Sequence, residues 1–93
     1  SKGKPDPQPY AKGAELNHVN ITNCFVIEDA PAGVLSGKRA GARVLAVKTT
    51  HDAERLWRQG ADFVVDNLTK VKARWSGNKI VLTIDSELRP SFE

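Results

Sequence analysis

The chain has 93 residues, 40% of them hydrophobic and 27% charged, which is the make-up of one small globular domain around a single core. Fourteen Lys and Arg against eleven Asp and Glu leave a net charge of +3, but the two signs are interspersed, which argues against a nucleic-acid-binding face. One cysteine excludes an internal disulfide and points to a reducing, cytoplasmic setting, and no apolar stretch approaches the roughly 20 residues that span a bilayer.

Pro5, Pro7 and Pro9 alternate near the start and hold the first residues extended before any helix can form. A helix is predicted over residues 9–19, with Pro9 in its first turn, and residues 20–23 read as a loop. Residues 24–27 (CFVI) are a continuous apolar run of the kind found in strands covered on both faces, with Cys24 expected in the core. The run stops at Glu28-Asp29. Pro31 then suits the opening turn of a helix over residues 32–42, along which Gly33, Gly37 and Gly41 form a stripe at fourfold spacing. Interior glycines cost on the order of 1 kcal/mol each relative to alanine, so close approach of this helix to a sheet is expected to offset them.

A second apolar strand, residues 43–47, follows after a short turn. Strand, helix and strand of these lengths make a right-handed βαβ unit with parallel strands. A third helix is predicted over residues 52–59, with Glu54 four residues before Arg58 and a stop at Gly60, and a short strand over 63–65. Val71, Ala73 and Trp75 then alternate with charged residues, Ser76-Gly77-Asn78 supplies a turn, and Ile80, Leu82 and Ile84 alternate again. This pattern predicts a β-hairpin that packs Trp75 against the core. The expected fold class is α/β, a partial Rossmann-like parallel sheet in residues 1–69 with a hairpin tail in residues 70–93.

Glu28 and Asp29 stand where a parallel strand ends and a helix begins, the edge at which open α/β sheets place their ligands. Adjacent carboxylates there can hold a hard divalent ion such as Mg²⁺. The plainer alternative is that Asp29 caps the helix and Glu28 faces water. Lys4, in Gly-Lys-Pro, is held extended by Pro5 and presents a compact charge suited to a phosphate oxygen or a carboxylate, against the alternative of a solvated lysine. No His/Cys cluster with metal-ligand spacing, no Gly-x-Ser-x-Gly elbow and no Gly-rich phosphate loop occurs.

Taken together, GKPDPQPY from residue 3 and CFVIEDAPAGVLSGKRAGARVLAV from residue 24 resemble the third and fourth motifs of the haloacid dehalogenase (HAD) superfamily. Within it the chain is most similar to fungal 2-deoxyglucose-6-phosphate and glycerol-phosphate phosphatases. The resemblance covers residues 3–67 and matches the tail only loosely. It implies Mg²⁺-dependent hydrolysis of a small sugar or polyol phosphate through an aspartyl-phosphate. Lys4 would be the catalytic lysine that binds phosphate and neutralises the nucleophile, and Asp29, with Glu28 beside it, would hold the metal. The first motif, Asp-x-Asp-Gly, is absent, since no two aspartates stand two positions apart. The nucleophile, the second motif and the cap domain are therefore expected in a segment upstream of Ser1, and the lack of any methionine suits an excised piece. Such a piece is expected to be inactive alone and to associate with itself or with the missing N-terminal segment. A phosphosugar mutase of the same superfamily, and a noncatalytic fragment that binds phosphate or a partner chain, are the alternatives.

Overall fold

The computed structural model of the chain describes residues 6–49 and 52–92. Helix α1 (Gln8–Leu16), strand β1 (Phe25–Glu28), helix α2 (Pro31–Ala40), strand β2 (Arg43–Val47), helix α3 (Ala53–Arg58) and strand β3 (Phe63–Val65) alternate along it. Strands β4 (Val71–Ser76) and β5 (Lys79–Ile84) follow. The first three strands form a parallel sheet in the order β1-β2-β3, and β4 pairs antiparallel with β5 as a separate hairpin. The chain thus has the expected α/β class, with a partial parallel sheet and a C-terminal hairpin.

Local chemistry sets the element ends. Helix α1 stops three residues short of the predicted end because Asn17 closes it, its amide donating to the Gly13 carbonyl at 2.8 Å. His18 then turns the backbone left-handed with φ 57°, which no helix can follow. The predicted loop at 20–23 contains a single 3₁₀ turn, Ile21–Asn23, capped by the Asn20 side chain. Cys24 precedes β1 rather than joining the core. It is half-buried, and its thiol donates to the Asn20 carbonyl at 3.4 Å. Helix α3 opens on Asp52, whose carboxylate accepts the Arg55 N–H at 3.0 Å, as the N-terminal donors of a helix require.

The main core cluster lies on one face of the sheet, while Leu45 and Val65 are buried on the other. Val26, Val44, Ala46 and Val64 point toward Val34 of α2 and toward Leu56 and Trp57 of α3, as the alternation of side chains along strands dictates. The expected glycine stripe divides into three separate roles. At Gly37 a Cβ would stand 2.8 Å from Val44 Cγ2 and 3.3 Å from Val26 Cγ1, so here the helix does approach the sheet too closely for a side chain. Gly41 ends α2 in the left-handed conformation, φ 98°, which glycine adopts without steric cost. Gly33 faces the side chain of Glu28 instead of the sheet. Asp62 ties the layers together, accepting from Lys38 of α2 at 2.9 Å and from the Val44 N–H at 2.8 Å.

On the opposite face the rings of Phe25 and Phe63 lie 6.1 Å apart. The hairpin meets this face only in part: Ile80, Leu82 and Ile84 line a groove of about 530 Å³ with Phe25, Arg43 and Phe63. Trp75 does not pack against the core as expected, being 71% exposed. The register places it opposite Ile80, one pair from the turn, and Ile80 is itself 59% exposed, so this end of the hairpin is left uncovered. The tail after β5 returns to β3, where Glu87 N–H donates to the Val64 carbonyl at 2.8 Å and Ser86 Oγ accepts from the Val64 N–H at 3.1 Å.

Candidate functional site

Three strands point their carboxyl ends to one edge, and the charged residues there follow from the chain's exits: Glu28 and Asp29 from β1, Lys48 from β2 and Asp66 from β3. At the β1 exit Ala30 is extended, with φ −122° and ψ 143°, as a residue before proline must be. Pro31 occupies the first turn of α2, and Ala30, whose carbonyl accepts the Val34 N–H at 3.0 Å, is the N-cap. No side chain caps this helix. The N-cap position itself is Ala30 rather than Asp29, and Asp29, one residue earlier, stands exposed at the strand end.

Glu28 behaves differently. It lies half-buried between α1 and α2, its carboxylate accepting from the Tyr10 hydroxyl and lying directly over Gly33. A Cβ at Gly33 would overlap that carboxylate, so the carboxylate can occupy this place only over a glycine. Desolvation raises the Glu28 pKa above its ordinary value. The Asp29 backbone N–H favours the ionised form against this trend, and the neighbouring Asp29 charge adds to the rise. A groove of about 290 Å³ opens here, lined by Asp6, Tyr10, Glu28, Gly33 and Ser36 among others. The predicted phosphate-binding residue Lys4 lies outside the described residues. Neither the contact of Tyr10 with Glu28 nor that of Gly33, read only as part of a glycine stripe, was legible in the sequence, because nothing local links a residue in the first helix to one eighteen positions later.

Lys48 also escaped notice in the sequence. Its ammonium pairs with Glu87 at 2.7 Å and with Asp66 at 3.2 Å, joining the ends of β2 and β3 to the tail. Hydrogen bonding to Glu87 and then to Asp66 raises the Lys48 pKa, and the bond to Lys48 lowers that of Asp66. These charges thus pair with one another across the sheet edge. Among the described residues no group of three or more His, Cys, Asp or Glu is gathered to hold a metal. The oxygen donors of Glu28 and Asp29 are of the hard type that Mg²⁺ takes, and they fit as part of an octahedral set whose other ligands come from elsewhere. Of the two histidines, His18 sits at the end of α1 and His51 lies outside the described residues. No helix among the described residues is long and apolar enough to cross a membrane.

The comparisons agree with this arrangement. The family model described as HAD-hydrolase-like matches residues 1–71, so the match includes the β1–α2 junction and stops at the hairpin. The chain is 45% identical over 75 residues to the validoxylamine A 7'-phosphate phosphatase of Streptomyces hygroscopicus subsp. limoneus, covering 81% of this chain and 33% of that one. It is 33% identical over 94 residues to the 2-deoxyglucose-6-phosphate phosphatase 2 of Saccharomyces cerevisiae, covering 92% of this chain and 38% of that one. A Bacteroides vulgatus structure described as a candidate beta-phosphoglucomutase superimposes with a TM-score of 0.67 at 30% identity, over 73% of this chain and 28% of that one. The chain spans about a third of the length of the curated relatives it matches. With the parallel sheet, the acidic β1 exit and the matched motifs in agreement, the chain belongs to the HAD-hydrolase-like family.

Proposed function

We propose that this chain supplies the phosphate-binding and metal-binding half of a phosphatase that hydrolyses a small sugar or polyol phosphate monoester. The observation that carries the proposal is the β1 exit, where Asp29 stands exposed at the carboxyl end of a parallel strand in a chain of this family. Asp29 provides a carboxylate oxygen for Mg²⁺ with the Glu28 charge beside it, and Lys4 neutralises the phosphate and the nucleophile. Bound Mg²⁺ would draw off phosphate charge, the kind of electrostatic assistance on which phosphoryl transfer chiefly depends. An aspartate from outside these 93 residues attacks phosphorus as the P–O bond to the sugar or polyol breaks, the leaving oxygen taking a proton from an acid likewise outside these residues. Water then hydrolyses the aspartyl-phosphate to free phosphate and the aspartate. Asp29 cannot fill that role while committed to the metal.

The same reading accounts for an open edge. Strand β1 has a sheet neighbour on one side only among the described residues, and Ile27 on it is 55% exposed. An unpaired edge of this kind invites another strand, from a further segment of the protein or from a second copy. The test is complementation. The 93-residue chain with Mg²⁺ is expected to show no turnover of para-nitrophenyl phosphate above background. Adding a segment that carries Asp-x-Asp-Gly is expected to restore it, and Lys4→Ala or Asp29→Asn to abolish it. Robust hydrolysis by the pure chain would require a nucleophile within it and would overturn the half-site assignment. The likeness to the Bacteroides structure favours a mutase as the second reading, distinguished in the complemented system by phosphate transfer between sugar positions instead of phosphate release. If complementation restores neither activity, the noncatalytic fragment is the remaining reading.

A further inference from the structure

The two adjacent carboxylates at the β1 exit are not equivalent. Asp29 is exposed at the strand end, whereas Glu28 is turned back between α1 and α2, onto the side of the sheet that Val26 also faces. Three features hold it there. The Tyr10 hydroxyl donates to Oε2, the Asp29 backbone N–H donates to the same carboxylate, and the missing side chain of Gly33 leaves the space in which the carboxylate sits. A side chain at position 33 would overlap the carboxylate and displace Glu28 from this place.

We infer that Tyr10 is a positioning residue which, with Gly33, latches the Glu28 carboxylate away from the metal, so that Asp29 alone of the pair binds it directly. This rests on the proposed role of Asp29 as a metal ligand. Glu28 then contributes its charge at a distance, and the contact with Tyr10 keeps the number of carboxylates around the ion low. Mg²⁺ demands near-ideal octahedral geometry and retains several waters, so a site with fewer rigid carboxylates suits it. A released Glu28 would add an oxygen ligand and strengthen binding of any divalent ion at this edge.

The experiment is titration of the 93-residue chain with Mn²⁺, followed by paramagnetic broadening of backbone amide signals. Amide chemical shifts of each variant verify that the fold is retained. Asp29→Asn is expected to weaken binding at least tenfold, and Glu28→Gln to change it less than twofold. Tyr10→Phe is expected to tighten binding severalfold by freeing Glu28, and the gain is expected to vanish in the Tyr10→Phe, Glu28→Gln double variant. Gly33→Ala displaces the same carboxylate by a different route and is expected to tighten binding in the same way, so the outcome does not hang on one variant. A purely structural Tyr10 would give no gain that depends on Glu28. Equal losses at Glu28 and Asp29, or unchanged affinity in both Tyr10→Phe and Gly33→Ala, overturn the latch alone. Unchanged affinity in Asp29→Asn overturns the latch together with the metal assignment beneath it.

Discussion

Two glycines in helices offer the same substitution with opposite expected signs. Gly13 lies within α1, and a Cβ there meets nothing within 4 Å. Gly13→Ala should therefore gain the helix-propensity difference of up to about 1 kcal/mol. Gly37 lies within α2, where the same Cβ would stand 2.8 Å from Val44 Cγ2. Val44 is fully buried, so its methyl cannot swing into solvent, and Val26 at 3.3 Å blocks the other side. Forcing extra carbon into such a site costs typically 1–3 kcal/mol, which offsets or exceeds the propensity gain. Gly37→Ala is expected to fall between about 0 and 2 kcal/mol of destabilisation, and Gly37→Leu, with three more carbons, to exceed about 2 kcal/mol. At roughly 4–8 °C per kcal/mol for a domain of this size, thermal melts should place Gly13→Ala above the parent by up to about 8 °C and Gly37→Leu below it by about 10 °C or more. Close packing of α2 on the sheet is refuted if Gly37→Leu melts at or above the parent, or if Gly37→Ala rises as far as Gly13→Ala.

The two tryptophans should differ as sharply: Trp57, 3% exposed, is expected to lose about 3–5 kcal/mol on truncation to alanine. Trp75→Ser, at a position 71% exposed, should stay within about 0.5 kcal/mol of the parent in urea unfolding. The Lys48–Asp66 pair makes a pH prediction. Asp66 has a folded pKa below the unfolded value of 3.8, so its contribution is present above that value and is lost as pH falls through the folded pKa. Lys48 has a folded pKa above 10.5, so its contribution is complete below that value and is lost as pH rises through the folded pKa. Lys48→Met should therefore reduce the part of the stability loss that Asp66 causes at acid pH, and an unchanged acid limb in denaturant titrations from pH 2 to 7 would count against the pair. Glu28 has the opposite sign to Asp66. Its raised pKa makes its contribution greatest below 4.5 and diminishing as pH rises through the folded value, so Glu28→Gln should steepen the acid limb that Lys48→Met flattens.

Much of this protein was legible one residue at a time. The β-α-β alternation, the strand at residues 63–65 and the hairpin follow from apolar runs, proline and glycine positions and period-two patterns, all of which are local. The motifs around Lys4 and Glu28-Asp29 carried the family for the same reason, since each is a short run of adjacent residues. Tertiary structure decided the relations between distant residues. It placed Tyr10 against Glu28, brought Lys48 to Asp66 and Glu87, and gave the three glycines of α2 three different neighbours. It also left Trp75 exposed where the alternating pattern expected a buried face. Period-two alternation identifies which face of a hairpin is apolar, but whether that face is covered depends on how far the partner sheet extends. Here the pair next to the hairpin turn, Trp75 and Ile80, is left exposed.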